Sequence, residues 1–216
     1  MIEKTGDKFN LDTYMSARKT AMKAALLFAQ HVNVGMNSKD MEGLINEIFM
    51  LLKIEKKWHM SKIRIGSDTL KTFKEKSDES IELQENDIYF LDIGPVIDGH
   101  EADYGMTFTK GNNPDYAKIQ KASKDLFNLA QNKWREENIN GEELYNFLES
   151  EASKLGYELD EKMKGHRLGD FPHHVHFRGN LTEQDKKPIE NLWVLEVHLL
   201  DKKNNVGAFF EDILTV

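Results

Sequence analysis

The sequence predicts an α+β fold in a single domain, residues 1–216, because helical and β-like segments come in blocks: a pair of helices, a β region, a second pair of helices, a second β region. Apolar residues at helical spacing mark the pairs, and an Asp98-Gly99 turn between apolar runs marks the first β region. No repeat and no interior Gly/Pro/Ser-rich linker divides the chain. A doubly wound sheet would need helices alternating singly with strands, which this order lacks.

A first helix is expected over residues 11–32, where Ala17, Ala21, Ala24, Ala25 and Phe28 recur among basic residues. A second is expected to open with Ser38 as its N-cap, with Asp40 and Glu42 in its first turn and Met41, Leu44, Ile45, Ile48 and Leu52 at helical spacing. Residues 58–65 alternate loosely and read as a strand, whereas the charged stretch 74–79 reads as a solvated loop. Residues 88–97 form an apolar run expected as a buried strand, which the Asp98-Gly99 turn leads into a second strand at 104–109. The second helix pair is expected at 115–137 and 141–155, and three further strands at 173–177, 192–200 and 208–216.

Composition narrows the chemistry. Hydrophobic residues make up 39% and charged residues 31%, a balance that excludes collagen-like and low-complexity classes and supports a sizeable core. Cysteine is absent, so no disulfide, thiolate nucleophile or Cys-ligated zinc exists, and any metal must be held by oxygen and imidazole. Lys and Arg number 29 against 37 Asp and Glu, a net charge of −8 with no basic tract, which argues against nucleic acid as a partner. The N-terminus lacks a signal-like apolar stretch and no run of about 18 apolar residues occurs, so a cytoplasmic protein without membrane contact is expected.

Potential ligands of a hard metal ion gather in the β regions. Asp92 lies in an apolar strand run beside Leu91 and Ile93, where an ionised carboxylate is costly without a positive partner. Asp103 lies eleven residues on, across the Asp98-Gly99 turn, so an antiparallel hairpin brings the two carboxylates together. Such neighbours repel, and a divalent cation removes the conflict. His166 sits in Gly165-His166-Arg167-Leu168-Gly169, where flanking glycines permit close backbone approach. Glu196 and Glu211 are each embedded in an apolar strand-like run. Taken singly, each acid has an ordinary alternative as a solvent-facing or Lys/Arg-paired group. His31, His59, His100 and His198 read first as hydrogen-bonded or surface groups.

These residues resemble the pita-bread metallopeptidases, the family of methionine aminopeptidase, Xaa-Pro aminopeptidase and prolidase. The resemblance rests on Leu91-Asp92-Ile93-Gly94, on Asp103-Tyr104-Gly105-Met106-Thr107-Phe108, on Gly165-His166-Arg167-Leu168-Gly169, on Glu196 and on Phe210-Glu211-Asp212. It runs from Asp92 to the end of the chain, and the leading helices fit the same catalytic domain, without the N-terminal domain of the prolidase type. It implies the pita-bread (creatinase/aminopeptidase) fold, a curved, mainly antiparallel sheet covered by paired helices. It further implies two divalent ions: Asp92 on one, His166 and Glu196 on the other, Asp103 and Glu211 bridging. Four carboxylates carry −4 and two such ions +4, so the filled site is near neutral. This donor set suits Mn, Co, Fe or Zn alike.

By the same resemblance Glu196 shuttles a proton to the leaving amine, and His173, seven residues after His166, hydrogen-bonds the substrate carbonyl. If residues 173–177 form a strand, His174 and His176 share one face and His173 takes the other. The implied activity is hydrolysis of an N-terminal peptide bond, with a short peptide or dipeptide as substrate, aminopeptidase or Xaa-Pro dipeptidase-like. Departures from the family pattern fall on positions that handle substrate. The histidine usual 17 or 18 residues before the first Asp is absent from Thr72-Phe73-Lys74-Glu75, and His59 could replace it only if the intervening segment folds back. Val197 follows Glu196 where proline is common, Lys162 and Phe209 stand where the Xaa-Pro branch carries His and Arg, and only fifteen residues separate Glu196 from Glu211. All five metal positions are kept, so the pattern reads as chemistry retained and specificity altered. The alternatives are a peptide- or partner-binding protein on the same scaffold, and a creatinase-like hydrolase working without metal. The sequence gives no signal for oligomeric state.

Overall fold

The computed structural model describes residues 3–54 and 56–216. In chain order the elements are α1 (Leu11–His31), α2 (Ser38–Leu51), β1 (Lys56–Lys57), β2 (Lys62–Ile65), β3 (Asp87–Ile93), β4 (Pro95–Ile97), β5 (His100–Glu101) and β6 (Tyr104–Lys110). There follow α3 (Pro114–Glu136), α4 (Gly141–Lys154), β7 (Glu158–Leu159), β8 (His166–Arg167), β9 (Trp193–Asp201) and β10 (Val206–Ile213). One sheet runs β2-β3-β6-β10-β9-β7, with β8 also on β9, and a small one runs β1-β4-β5; every pairing is antiparallel. This is the α+β, pita-bread arrangement expected, and the paired helices cover one face of the large sheet. α1 packs over β6, and α3 over β9 and β10. Ala17, Ala21, Ala24 and Ala25, all fully buried, let α1 lie close to the strands.

Local expectations were revised in four places. The N-cap of α2 is Asn37, not Ser38: its side chain accepts the N–H groups of Lys39 and Asp40, and the Asp40 carboxylate accepts the Asn37 N–H at 3.2 Å. The reciprocal cap needs its acid three residues after the cap residue, a spacing Asn37 and Asp40 satisfy. The strand expected at 58–65 begins only at Lys62, because Trp58 and His59 turn inward to the site. The run 88–97 breaks at Gly94 into β3 and β4, which belong to different sheets; the Asp98-Gly99 turn then closes the β4–β5 hairpin, with φ of 48° and 74° at the two residues. Residues 173–177 are not a strand. His173–Val175 is a 3-10 turn after Pro172, closed by Val175 N–H to Pro172 O and His176 N–H to His173 O, so strand alternation does not govern its histidines.

Along β10 successive side chains alternate between the two faces of the sheet. Asp212 points toward the helices, where the Arg18 guanidinium of α1 grips it through Nε–Oδ1 at 2.6 Å and Nη2–Oδ2 at 2.5 Å, while Glu211 points the other way. Arg18→Met would leave the Asp212 carboxylate, 5% exposed, without its partner. We expect a loss of about 2–3 kcal/mol in urea unfolding, largely recovered by adding Asp212→Asn.

Candidate metal centre

One transverse row of the sheet carries the site. Register pairs Asp92 on β3 with Gly105 on β6, Gly105 with Glu211 on β10, and Glu211 with Glu196 on β9. Opposed residues of antiparallel strands share a face, so three carboxylates stand in line, with a glycine in the middle of the row. A Cβ at Gly105 would lie 2.5 Å from Glu211 Oε1, so only glycine leaves the centre open. Asp103, two residues before Gly105, projects to the same face from just outside β6. His166 on β8 is opposite Val194, two residues before Glu196, and so faces the same side.

The five side chains expected as ligands therefore come together, and His59 joins them. Ligand atoms of Asp103, His166 and Glu211 lie within 4.8 Å of one another, and so do those of His59, Asp92 and Asp103. His166 Nε2 lies 2.8 Å from Asp103 Oδ2 and 3.9 Å from Glu196 Oε1. Glu196 is fixed twice: Gly165 N–H donates to its Oε2 at 3.0 Å, and the Tyr145 hydroxyl donates to its backbone carbonyl at 3.0 Å and accepts from its N–H at 3.2 Å. Gly165 achieves this with φ of +62°, in a place where a Cβ would strike the Val194 carbonyl.

Burial, with no lysine or arginine ion pair to the four carboxylates among the described residues, sets the electrostatics. Asp92, Asp103 and Glu211 are 4%, 2% and 1% exposed, and every ion pair made by the four carboxylates among the described residues is with histidine. Burial raises the Asp92 pKa to about 6 and that of Glu196 to about 7; it pushes Glu211 well above the ordinary carboxylate range, helped by the charges of Asp103, Asp92 and Glu196. For Asp103 burial acts in the same direction, but hydrogen bonds from His166 and His59 overcome it and its pKa falls. Burial opposes charge on His166, yet Asp103 and Glu196 raise it to about 9. The buried atoms Asp92 Oδ1 and Glu211 Oε1 have no hydrogen-bond partner. Oxygen and imidazole donors, excess buried negative charge and two orphaned carboxylate oxygens fit divalent cations.

A cavity of about 290 Å³ opens onto this cluster, walled by Trp58, Phe73 and Met163 on its apolar side and rimmed by Lys74, Lys162 and Lys164. A larger groove of about 630 Å³ beside Phe9, Trp134 and Leu192 has no histidine in its lining, so the chemistry selects the smaller space. His173 is not in the cavity wall. Its ring stacks on that of His166 at 5.6 Å between centroids and meets the Trp58 indole edge-on at 5.0 Å, and its Nδ1–H donates to Glu101 Oε2 at 2.6 Å. The sequence reading did not single out Glu101, Tyr145 or Trp58. A carboxylate in the β5 hairpin was the one available hint of Glu101; Tyr145 reads as an ordinary core residue of α4.

The fold and this carboxylate–imidazole cluster define the class: a pita-bread architecture with a candidate metal centre on the open face of its sheet. The sequence model of metallopeptidase family M24 matches residues 13–216, and the chain belongs to that family. Residues along 107 positions are 33% identical to methionine aminopeptidase of Helicobacter pylori, covering 49% of this chain and 42% of that protein, less than half the length of that relative. Among solved structures, methionine aminopeptidase of Thermotoga maritima superposes with a TM-score of 0.77 at 15% identity, over 100% of this chain and 96% of that one. Prolidase of Pyrococcus horikoshii gives 0.77 at 17% identity over 98% and 60%, and X-Pro aminopeptidase of T. maritima gives 0.75 at 16% over 95% and 60%. At such identities these likenesses speak to the fold. Among the described residues no helix is long and apolar enough to cross a membrane.

Proposed function

We propose that this chain is an exopeptidase dependent on two divalent metal ions, hydrolysing the N-terminal bond of a short peptide or an Xaa-Pro dipeptide. One observation carries the reading: four carboxylates and an imidazole converge on one face of the sheet, three of the acids in a single row, buried and with no ion-pair partner but histidine among the described residues. Asp92, Asp103, His166, Glu196 and Glu211 would hold the ions, of Mn, Co, Fe or Zn type, with Asp103 and Glu211 shared. The chemistry such ions would supply there is a water acidic enough to attack at neutral pH and a polarised substrate carbonyl.

The chain's own residues do the rest. Glu196 is held through Oε2 by the Gly165 N–H, which leaves Oε1, the oxygen on the His166 side, as the atom that would exchange a proton with the departing amine. His173 stands outside the cavity wall beside His166, and with Nδ1 held by Glu101 and its ring braced by Trp58, Nε2 is the atom that would reach the carbonyl oxygen of a substrate extending past that wall. Trp58, Phe73 and Met163 give the cavity an apolar wall for the first side chain, and its volume suits one or two residues of substrate. The rim lysines complement the carboxylate end of a dipeptide.

The test is metal content per chain followed by hydrolysis of a panel of Xaa-Pro dipeptides and short Met- and Ala-initiated peptides, before and after chelation. Turnover that requires restored metal supports the reading; full metal occupancy with no turnover on the panel overturns it in favour of a binding protein. Within this scheme His173→Ala should lower kcat by roughly 10²–10³-fold, the usual loss for a group that stabilises carbonyl charge, with metal content unchanged.

A further inference from the structure

We propose that His59 Nε2 is itself a metal ligand, so that the centre holds one imidazole at each end, His59 with Asp92 and His166 with Glu196, on either side of the shared Asp103. The inference rests on the two-ion reading above and extends its donor set from five residues to six.

Three independent features single out His59. The first is its spacing. Its Nε2 lies 3.4 Å from Asp92 Oδ1 and 3.4 Å from Asp103 Oδ1. His166 Nε2 has one close and one long approach, 2.8 Å to Asp103 and 3.9 Å to Glu196, and His173, outside the proposed donor set, is in tight contact with a single carboxylate, 2.6 Å from Glu101. Two donors about 2.1 Å from a tetrahedral ion stand about 3.4 Å apart, so His59, Asp92 and Asp103 are spaced as ligands of a common cation and loosely as hydrogen-bond partners. Asp92 Oδ1, the atom facing His59, is the buried oxygen without a hydrogen-bond partner.

The second feature is the other ring nitrogen. His59 Nδ1 lies 2.9 Å from the carbonyl of Met60, the next residue, and His166 Nδ1 lies 2.9 Å from the carbonyl of Arg167, again the next residue. Donation of Nδ1–H to a backbone carbonyl fixes the ring and turns the Nε2 lone pair outward, the arrangement of metal-bound histidines. His198 and His100 differ: their Nε2 atoms are taken up by the Thr69 carbonyl at 2.7 Å and the Asn10 N–H at 2.8 Å.

The third is the space made for the ring. Gly94, two residues after Asp92, lies against His59, and an added Cβ there would overlap the imidazole. Gly105, two residues after Asp103, makes the same room for Glu211. Each aspartate is thus followed at the same interval by a glycine that admits a further donor. The Trp58 indole, hydrogen-bonded through Nε1–H to the Ala102 carbonyl, braces both imidazoles edge-on, with centroids 4.3 Å from His59 and 5.2 Å from His166.

A nitrogen donor at the Asp92 end favours Co²⁺ or Zn²⁺ there over Mn²⁺, which prefers oxygen. The experiment is calorimetric titration of the chelator-treated protein with Co²⁺, followed by its visible d–d absorption, for the wild type, His59→Ala and Gly94→Ala. The wild type should take up two equivalents. In His59→Ala one should remain tight while the other weakens by about 100-fold or more, with loss of part of the visible band; Gly94→Ala, which keeps the imidazole but displaces it, should change in the same direction. Two tight equivalents with an unaltered spectrum in His59→Ala overturn the inference, as does a rise in KM alone, which would make His59 a substrate contact. Fewer than two equivalents in the wild type overturn the two-ion reading, and the inference with it. Should His59→Ala fail to fold, imidazole ¹⁵N shifts of the wild type on adding Zn²⁺ decide: Nε2 of two of the eight histidines should move, and movement of one alone overturns the inference.

Discussion

Asp103→Asn is expected to abolish tight metal binding and to lower kcat/KM by about 10³–10⁴-fold, roughly 4–5 kcal/mol of transition-state stabilisation, while leaving the chain folded. Asp103 is the residue common to both clusters of potential ligands, and its two oxygens face different imidazoles, Oδ1 toward His59 and Oδ2 toward His166. An amide keeps the shape but offers one oxygen and one N–H group, so it can serve one side of the centre and must oppose the other. Measured metal per chain together with hydrolysis gives the answer, and Arg18→Met provides the control: that change weakens the fold but should leave metal content intact. Two ions per chain and near-normal turnover in Asp103→Asn would remove Asp103 from the bridge.

The second large effect is a reversal in how stability depends on pH when metal is withdrawn. In the metal-free protein Asp92 at about 6, Glu196 at about 7 and Glu211, pushed well above the ordinary carboxylate range, hold protons in the folded state at pH values where the unfolded chain has released them. Folded acids with raised pKa bind more protons than the unfolded state, so their contribution falls as pH rises through this window. His166, raised to about 9, works in the same direction: its stabilising contribution is complete below its ordinary value near 6.5 and is lost as pH climbs toward 9. Asp103, whose pKa is lowered, acts with the opposite sign, but only in acid, below the ordinary range of an aspartate. The chelated protein should therefore lose on the order of 3 kcal/mol between pH 5.5 and 8.5. With divalent metal present the trend should invert, because protons compete for the same donors and binding tightens as they leave. Urea unfolding at the two pH values, with chelator and with Co²⁺ or Mn²⁺, reads both slopes. Glu211→Gln should flatten the chelated slope while removing the metal response. A chelated protein that is more stable at pH 8.5 would contradict the electrostatic account of the site.

Much of this architecture was legible because it is local. The spacing of Ala17, Ala21, Ala24 and Phe28 follows from one helical face, and the Asp98-Gly99 turn from the positive φ it must adopt, so α1 and that turn stand where the sequence puts them, although the hairpin it closes joins β4 to β5 and not to the strand at 104–110. The blocks of paired helices and strands gave the α+β class, and the embedded acids Asp92, Glu196 and Glu211 could be noticed because apolar strands tolerate charge only for a reason. Where one local signal outweighed another the reading slipped: Asn37 displaced Ser38 as cap, and the backbone after Pro172 turned into a 3-10 helix that alternation alone could not foresee.

By itself, then, the sequence determined the fold class and the oxygen-and-imidazole character of any metal site, since these follow from the order of elements and from residue type, and its resemblance to a family named the five positions proposed to hold it. Tertiary structure alone decided that Asp92, Glu211 and Glu196 share a single row, that the His173 ring stacks on His166 and is held by Glu101, and that His59 reaches the cluster from thirty-three residues before Asp92. The physical reason is register: which residues oppose one another across neighbouring strands, and which glycine leaves room for a ring, depends on pairings between distant segments that no local pattern encodes.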